Sequence, residues 1–295
     1  MRTTRALVDT TALASNIALL RDRIRSHKRI MAIVKAAAYG HGIEAILPTL
    51  ERADIEHCGV AAVSEGAELR RLGFSGRITL LTTPTTEDRT EIIGLNLEPF
   101  ISDADTLDWL SATAVREGST LRAHLYVDTG MTRNGCLPDD ATALAQSIES
   151  ADSVELVGLA SHLARSDDSD PEPTRRQNSI FDEVRRTLAD NGISPPDVHL
   201  ANSGGILTFP QTHGTLVRPG IALYGYHPNS AENGNSGLRP VMSVVSKISS
   251  LRTVPARTPV SYGETWHTPT RRVIATIPIG YGDGIARSFS SRLHV

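Results

Sequence analysis

Lys35 closes a short apolar run, IMAIV, and opens the segment KAAAYGHG. An amine in that place can act as a nucleophile, and neighbouring cations make its neutral form easier to reach, as Schiff base chemistry with a carbonyl requires. A solvated lysine on a loop is the plainer reading. Tyr39, Gly40 and Gly42 follow at once, and a hydroxyl beside open backbone amides suits an anion. Two later segments, ANSGG (201–205) and RPGIALYG (218–225), add the Ser203 hydroxyl and the backbone of Gly204, Gly205 and Gly220. Together they fit a phosphorylated ligand; each alone could be a helix cap or a turn. Arg133 and Arg218 carry planar forks that suit a ring nitrogen or an oxyanion, or simply a solvated pair. His162 could orient Arg218, relay a proton, or be satisfied by backbone. Tyr262, in VSYGETW, has a phenol that works as a base only beside an activating cation or histidine; otherwise it is a sheet tyrosine. Cys58 and Cys136 lack metal spacing, and the ten histidines form no HxxxH or HExxH pattern, so no metal site is expected.

These residues need elements that bring them to one place. Eight short apolar runs alternate with amphipathic stretches: 30–34, 57–63, 78–81, 97–101, 121–127, 154–160, 198–200 and 216–217. Helical patterns such as SEGAELRRLG and DTLDWLSATAVREG separate them, opening on Asp or Ser and closing on Gly. The alternation predicts an α/β fold, an eight-stranded β/α (TIM-type) barrel over 11–228, with an open doubly wound sheet as the competing architecture. In a barrel the candidate residues fall at the carboxyl ends of runs: Lys35 after the first, DTGMTR with Arg133 after the fifth, His162 after the sixth, Ser203 after the seventh, Arg218 after the eighth. Beyond Pro228 a stretch rich in Asn, Ser and Gly reads as a linker, and 239–295 reads as a mainly β domain joined by residues 1–10, where ALVDT is a strand. The chain ends at SSRLHV, within another expected strand, so this domain reads as partial.

Composition limits the partners. With 40% hydrophobic and 21% charged residues the chain is globular rather than disordered, and a net charge of -3 without long runs gives no footprint for nucleic acid or membrane. Two cysteines are too few for a disulfide framework. The amino terminus mixes charges every few residues, and no apolar stretch has the length of a membrane span. The expectation is a cytoplasmic protein acting on small molecules.

The segments VKAAAYGHG, VDTGMTRNG, SHLARSDD, ANSGG, VRPGIALYG, PVSYGETW and PIGYGDG resemble, in the same order, the motifs of alanine racemases, over nearly the whole chain. The resemblance implies an isomerase that uses pyridoxal 5'-phosphate, makes D-alanine for bacterial cell-wall peptide, and works as a homodimer with shared active sites. It implies that Lys35 binds the cofactor covalently and is the base on the D-amino-acid side, with Tyr262 from the other subunit as the opposite base. Tyr39, Ser203, Gly220 and Ile221 match phosphate-binding positions. Arg218 matches the residue facing the pyridine nitrogen, His162 its link to the tyrosine, and Arg133 the residue near the cofactor phenol and substrate carboxylate. Three features depart from the family. Ala37 replaces a polar Asn or Asp, Tyr126 stands where a modified lysine is common, and a Met-Asp pair and a further phosphate-binding tyrosine of the family's last strands are not in this sequence. Two other readings compete: a shortened, catalytically weak cofactor-binding protein, and a barrel-type amino-acid decarboxylase. The decarboxylase is disfavoured because Arg218 stands where an acidic partner for the ring nitrogen is expected.

Overall fold

The computed structural model describes residues 3–24, 28–290 and 292. Contacts divide the chain into two units, Asp9–Val241 and a second that combines Met1–Val8 with Met242–Val295.

In chain order the strands begin with β1 (Arg5–Val8), which belongs to the second unit. The larger unit contains β2 (Arg29–Ile30), β3 (Ala32–Ile33), β4 (His57–Val60), β5 (Arg77–Leu80), β6 (Leu97–Ile101), β7 (Leu121–Tyr126), β8 (Val154–Ala160), β9 (Asp197–His199) and β10 (Leu216–Val217). β3 to β9 form one seven-stranded sheet in sequence order, every pair parallel. The strand ring closes through β10. Thr215 N donates to Val198 O at 2.8 Å and Arg218 N to Ala201 O at 2.9 Å, laying β10 beside β9. On its other edge β10 pairs in parallel with β2, Val217 opposite Ile30. The strands follow one another around the ring without a reversal of order, so the fold is the barrel and not the open doubly wound sheet.

The apolar runs explain this closure. β4 and β6 are buried at every position, as strands must be when helices cover one side and packed side chains fill the other. The first run is not one strand. It divides at Met31, because β2 bonds to β10 while β3 bonds to β4. Helices return the chain between strands with local stop and start signals: Asp103 accepts from Thr106 N at 2.7 Å to cap Ala104–Arg116, and Gly118 then turns away at φ +61°.

The second unit is built of two-stranded antiparallel pairs. β1 pairs with β11 (Met242–Val245), Arg5 opposite Val245; β12 (Ser250–Val254) pairs with β15 (Arg272–Thr276); β13 (Pro259–Val260) pairs with β14 (Trp266–His267). The expected run TPVSYG stops as a strand at Val260. Ser261 and Gly263 take φ of +67° and +77°, which cannot continue a ladder, and Tyr262–Glu264 forms a 3-10 turn. The strand expected at SSRLHV falls mostly on residues 291 and 293–295, outside the described residues; Arg287–Phe289 just before it is a 3-10 turn.

Candidate active site

At the carboxyl ends of the barrel strands lies a cavity of about 440 Å³, in the range of small-molecule sites. Lys35, Tyr39, Arg133, His162, Ser203, Arg218, Gly220 and Ile221 all line it.

Lys35 enters from the end of β3. Val34 N still donates to Gly59 O at 2.9 Å, so the last residue before the lysine is tied to the ring. The next four residues, Ala36 to Tyr39, take φ between +50° and +56°, a turn of left-handed helix, at about 1–2 kcal/mol for each residue with a Cβ. Something outside the turn must hold it, and Glu65 does. One carboxylate oxygen accepts from Ala36 N at 2.5 Å and the other from Ala61 N at 2.8 Å, joining the lysine's turn to the loop after β4.

Tyr39 leaves this turn over the ring of Tyr224, centroids 4.9 Å apart, and Tyr224 is itself anchored by donating to Ile33 O at 2.9 Å. Burial raises the Tyr39 phenol above its ordinary range, so it faces the cavity as a hydroxyl. Its oxygen sits close against the turn after β10, where a Cβ on Gly220 would lie 2.5 Å from Tyr39 Oη. Ser203 Oγ accepts from Gly220 N at 3.0 Å and Ala222 N at 3.2 Å, fastening the RPG turn to the start of Ser203–Thr208. Asn202 caps that short helix by accepting from Gly205 N at 3.1 Å and also accepts from Ser166 Oγ at 2.7 Å.

Arg218 is the fixed wall. It is 4% exposed. Nη1 donates to His199 Nδ1 (2.7 Å) and His199 O (2.6 Å). Nη2 donates to Ser161 O (2.5 Å), Leu200 O (3.3 Å) and His162 Nδ1 (3.3 Å). The remaining donor, Nε–H, has no partner among the described residues. Burial lowers this guanidinium to about 10, still charged near neutrality. His162 is pushed down to about 3, first by burial and then by the charges of Arg218, Arg133 and Lys35, so it faces the cavity as neutral imidazole.

The opposite wall is looser. Asp128 accepts from Gly130 N (2.9 Å), Met131 N (2.8 Å) and Thr132 N (2.9 Å). These bonds overcome the effect of burial and hold its carboxyl below the usual range. Arg133, at the end of this loop, is exposed and makes no hydrogen bond or ion pair to a described residue. Tyr126 is buried, stacked on Phe100 with centroids 4.5 Å apart.

Of the barrel residues singled out by type and spacing, Lys35, Tyr39, Arg133, His162, Ser203, Gly204, Arg218 and Gly220 meet in one cavity, whereas Gly40, Gly42 and Gly205 do not line it. Tyr262 belongs to the other unit, where its side chain is 81% exposed. Glu65 and His199 were not singled out. Glu65 reads as an ordinary first-turn helix glutamate, and the sole trace of His199 is a polar residue inside the run VHL.

A closed parallel barrel with an amine, a glycine-lined anion cradle and a buried guanidinium at its mouth defines the class: a β/α-barrel enzyme that binds a small ligand at the strand ends. The chain belongs to the alanine racemase family. The family's N-terminal domain matches residues 8–228 and its C-terminal domain residues 241–295. An alanine racemase of Treponema denticola is 36% identical over 98% of this chain and 77% of its own length. That of Chlorobaculum tepidum is 36% identical over 98% and 76%. Among solved structures, alanine racemase from Streptomyces lavendulae superposes with a TM-score of 0.91 at 34% identity, covering 99% of this chain and 78% of that one.

Proposed function

We propose that this chain is an alanine racemase that uses pyridoxal 5'-phosphate and interconverts L- and D-alanine with one base on each face of the substrate. One observation carries the reading: the Lys35 amine, the Tyr39–Ser203–Gly220 cradle and the Arg218 guanidinium surround a single cavity. The cradle fits a phosphate. Its glycine backbone can be approached closely because no Cβ fits beside Tyr39 Oη, and both hydroxyls and the Ile221 backbone are near. Lys35 would hold the cofactor's aldehyde carbon. When bound, the cofactor supplies a conjugated ring that takes up the electron pair left as the amino acid's Cα loses its proton.

The chain's own residues do the rest. The Lys35 amine would also move the Cα proton on the D face. The Tyr262 phenol would move it on the L face, and its exposure leaves it accessible to the cavity of a second copy, so the working unit is a homodimer with shared sites. Arg218 can only donate, and its spare Nε–H would meet the ring nitrogen without protonating it. An acidic partner there would draw more charge into the ring and favour decarboxylation, so the arginine supports proton return at Cα. His162, bonded to Arg218, would face the phenol. Arg133, with no partner of its own, is available to the substrate carboxylate. In this reading the enzyme works in the cytoplasm and supplies D-alanine for cell-wall peptide; among the described residues no helix is long and apolar enough to cross a membrane.

Purified chain mixed with pyridoxal phosphate should develop a visible absorbance band and exchange the Cα hydrogen of alanine with deuterated solvent. Lys35→Ala should lose the band; a native protein that stays colourless overturns the proposal. Tyr262→Phe should slow exchange from the L-isomer more than from the D-isomer, and equal loss from both would rule out separate bases.

A further inference from the structure

Beneath the cavity the barrel core holds a line of polar side chains where aliphatic layers are usual. Glu98 on β6, His124 on β7 and His199 on β9 are each 0% exposed. Glu98 accepts from Arg77 Nε at 2.8 Å and Nη2 at 2.7 Å, and pairs with Arg122 Nη2 at 2.7 Å. Its Oε2 is 3.1 Å from His124 Nε2. His124 Nδ1 is 3.0 Å from His199 Nε2, and His199 Nδ1 is 2.7 Å from Arg218 Nη1.

The two ends of this line fix the direction of every proton in it. Arginine can only donate, so His199 Nδ1 accepts and the ring's proton sits on Nε2. That proton points at His124 Nδ1, which must accept, leaving the His124 proton on Nε2. There it meets a carboxylate, which can only accept. Burial alone would raise the Glu98 carboxyl, but hydrogen bonds from His124 and Arg77 outweigh it and hold the group ionised, well below the usual range. Burial, then the charge of Arg218, lower His199 and keep it neutral.

The backbone makes room for the line. The register of β7 against β8 shifts between Ala123 and His124, an irregularity of the kind that re-aims a side chain. Opposite it stands Gly158, where any Cβ would overlap the His124 ring.

We propose that Glu98, His124 and His199 are positioning residues for Arg218: a one-way hydrogen-bond line from the barrel floor that fixes which nitrogen His199 offers the guanidinium. It rests on the reading of Arg218 as the partner of the cofactor's ring nitrogen. With Nη1 pinned to His199 and Nη2 to the carbonyls of Ser161 and Leu200, the guanidinium has one orientation, and Nε–H is the donor left over. A different His199 tautomer would place two donors face to face and turn Arg218 away.

The test starts with cofactor-free protein labelled with 15N-histidine. At pH 7 both His124 and His199 should give the shifts of neutral Nε2–H tautomers; an Nδ1–H tautomer or a protonated ring at either position overturns the proposal. His124→Phe cuts the line while a ring still fills the space above Gly158. His199 should then lose its single tautomer, and pyridoxal phosphate should bind roughly tenfold more weakly with a displaced absorbance maximum, as when a buried hydrogen bond to a charged group is weakened. His124→Gln, whose carbonyl can accept from His199 and whose amide can donate to Glu98, should restore both. A folded His124→Phe protein with native His199 signals and native absorbance overturns the proposal. Should that variant not fold, the native tautomers and the Gln variant decide. A native protein without an absorbance band removes the functional reading, while the tautomers, measured without cofactor, are judged separately.

Discussion

Arg218 and Arg133 line the same cavity, yet one is 4% exposed with four of its five N–H groups engaged, and the other is exposed with no partner among the described residues. The difference follows from what each can touch. A buried guanidinium is tolerable only where acceptors replace its water, and the ends of β8 and β9 supply the carbonyls of Ser161, His199 and Leu200. Such a group cannot adapt, so it suits a flat ring held in one pose. Arg133 sits at the end of a loop whose order comes from Asp128, and it keeps the freedom that the proposed role toward the substrate carboxylate would use. In this cavity rigidity belongs to the Arg218 wall and compliance to the Arg133 loop; under the proposed function these would be the cofactor side and the substrate side.

Acid should have the largest effect, through the buried histidines. His57, His162 and His199 are all lowered by burial first, whereas in the unfolded chain they take up protons near 6.5. Their contribution to stability is therefore full above about pH 6.5 and falls as pH drops toward the folded values, by about 2 kcal/mol for each between pH 6.5 and 5. Urea unfolding across that interval measures it, and a flat profile would mean that the fold accepts these charges. Next in size, Arg218→Ala takes the guanidinium's hydrogen bonds from His199 Nδ1, His162 Nδ1 and the carbonyls of Ser161 and Leu200 and should lose about 3–5 kcal/mol in urea unfolding. Ser203→Ala removes the acceptor of two buried N–H groups and should lose about 1–3 kcal/mol, with weaker phosphate binding by titration. Arg133→Ala should change stability by less than about 0.5 kcal/mol and act on the Michaelis constant for alanine instead. Equal losses of stability for the two arginine variants would erase the contrast.

Much of this was legible before any coordinates. The apolar runs ending in Lys35, His162 and Arg218 announced strands with chemistry at their tips, and the alternation with capped helices announced a barrel. Ser203 and Gly220 were legible as a pair of turn residues but not as partners, since the bond between them spans 17 positions. The left-handed turn after Lys35 was not legible at all, because alanines favour the right-handed helix and the Glu65 carboxylate that ties the turn to the loop after β4 lies 29 residues away from Ala36. The division of the first run at Met31 was equally hidden, since nothing in IMAIV says which neighbour each half will bond.

Residue order alone determined the alternation of strands and helices through the barrel, the order of the strands, and which side chains end them, because those depend on local propensity and on the period of apolar residues. Tertiary structure decided what each polar group faces. Glu98, His124 and His199 stand in runs that read simply as core, and His124 reaches His199 across 75 positions of chain. The closing of the ring turned three unremarkable strand residues into one directed line, because a buried donor or acceptor must find its partner wherever the fold brings one within reach.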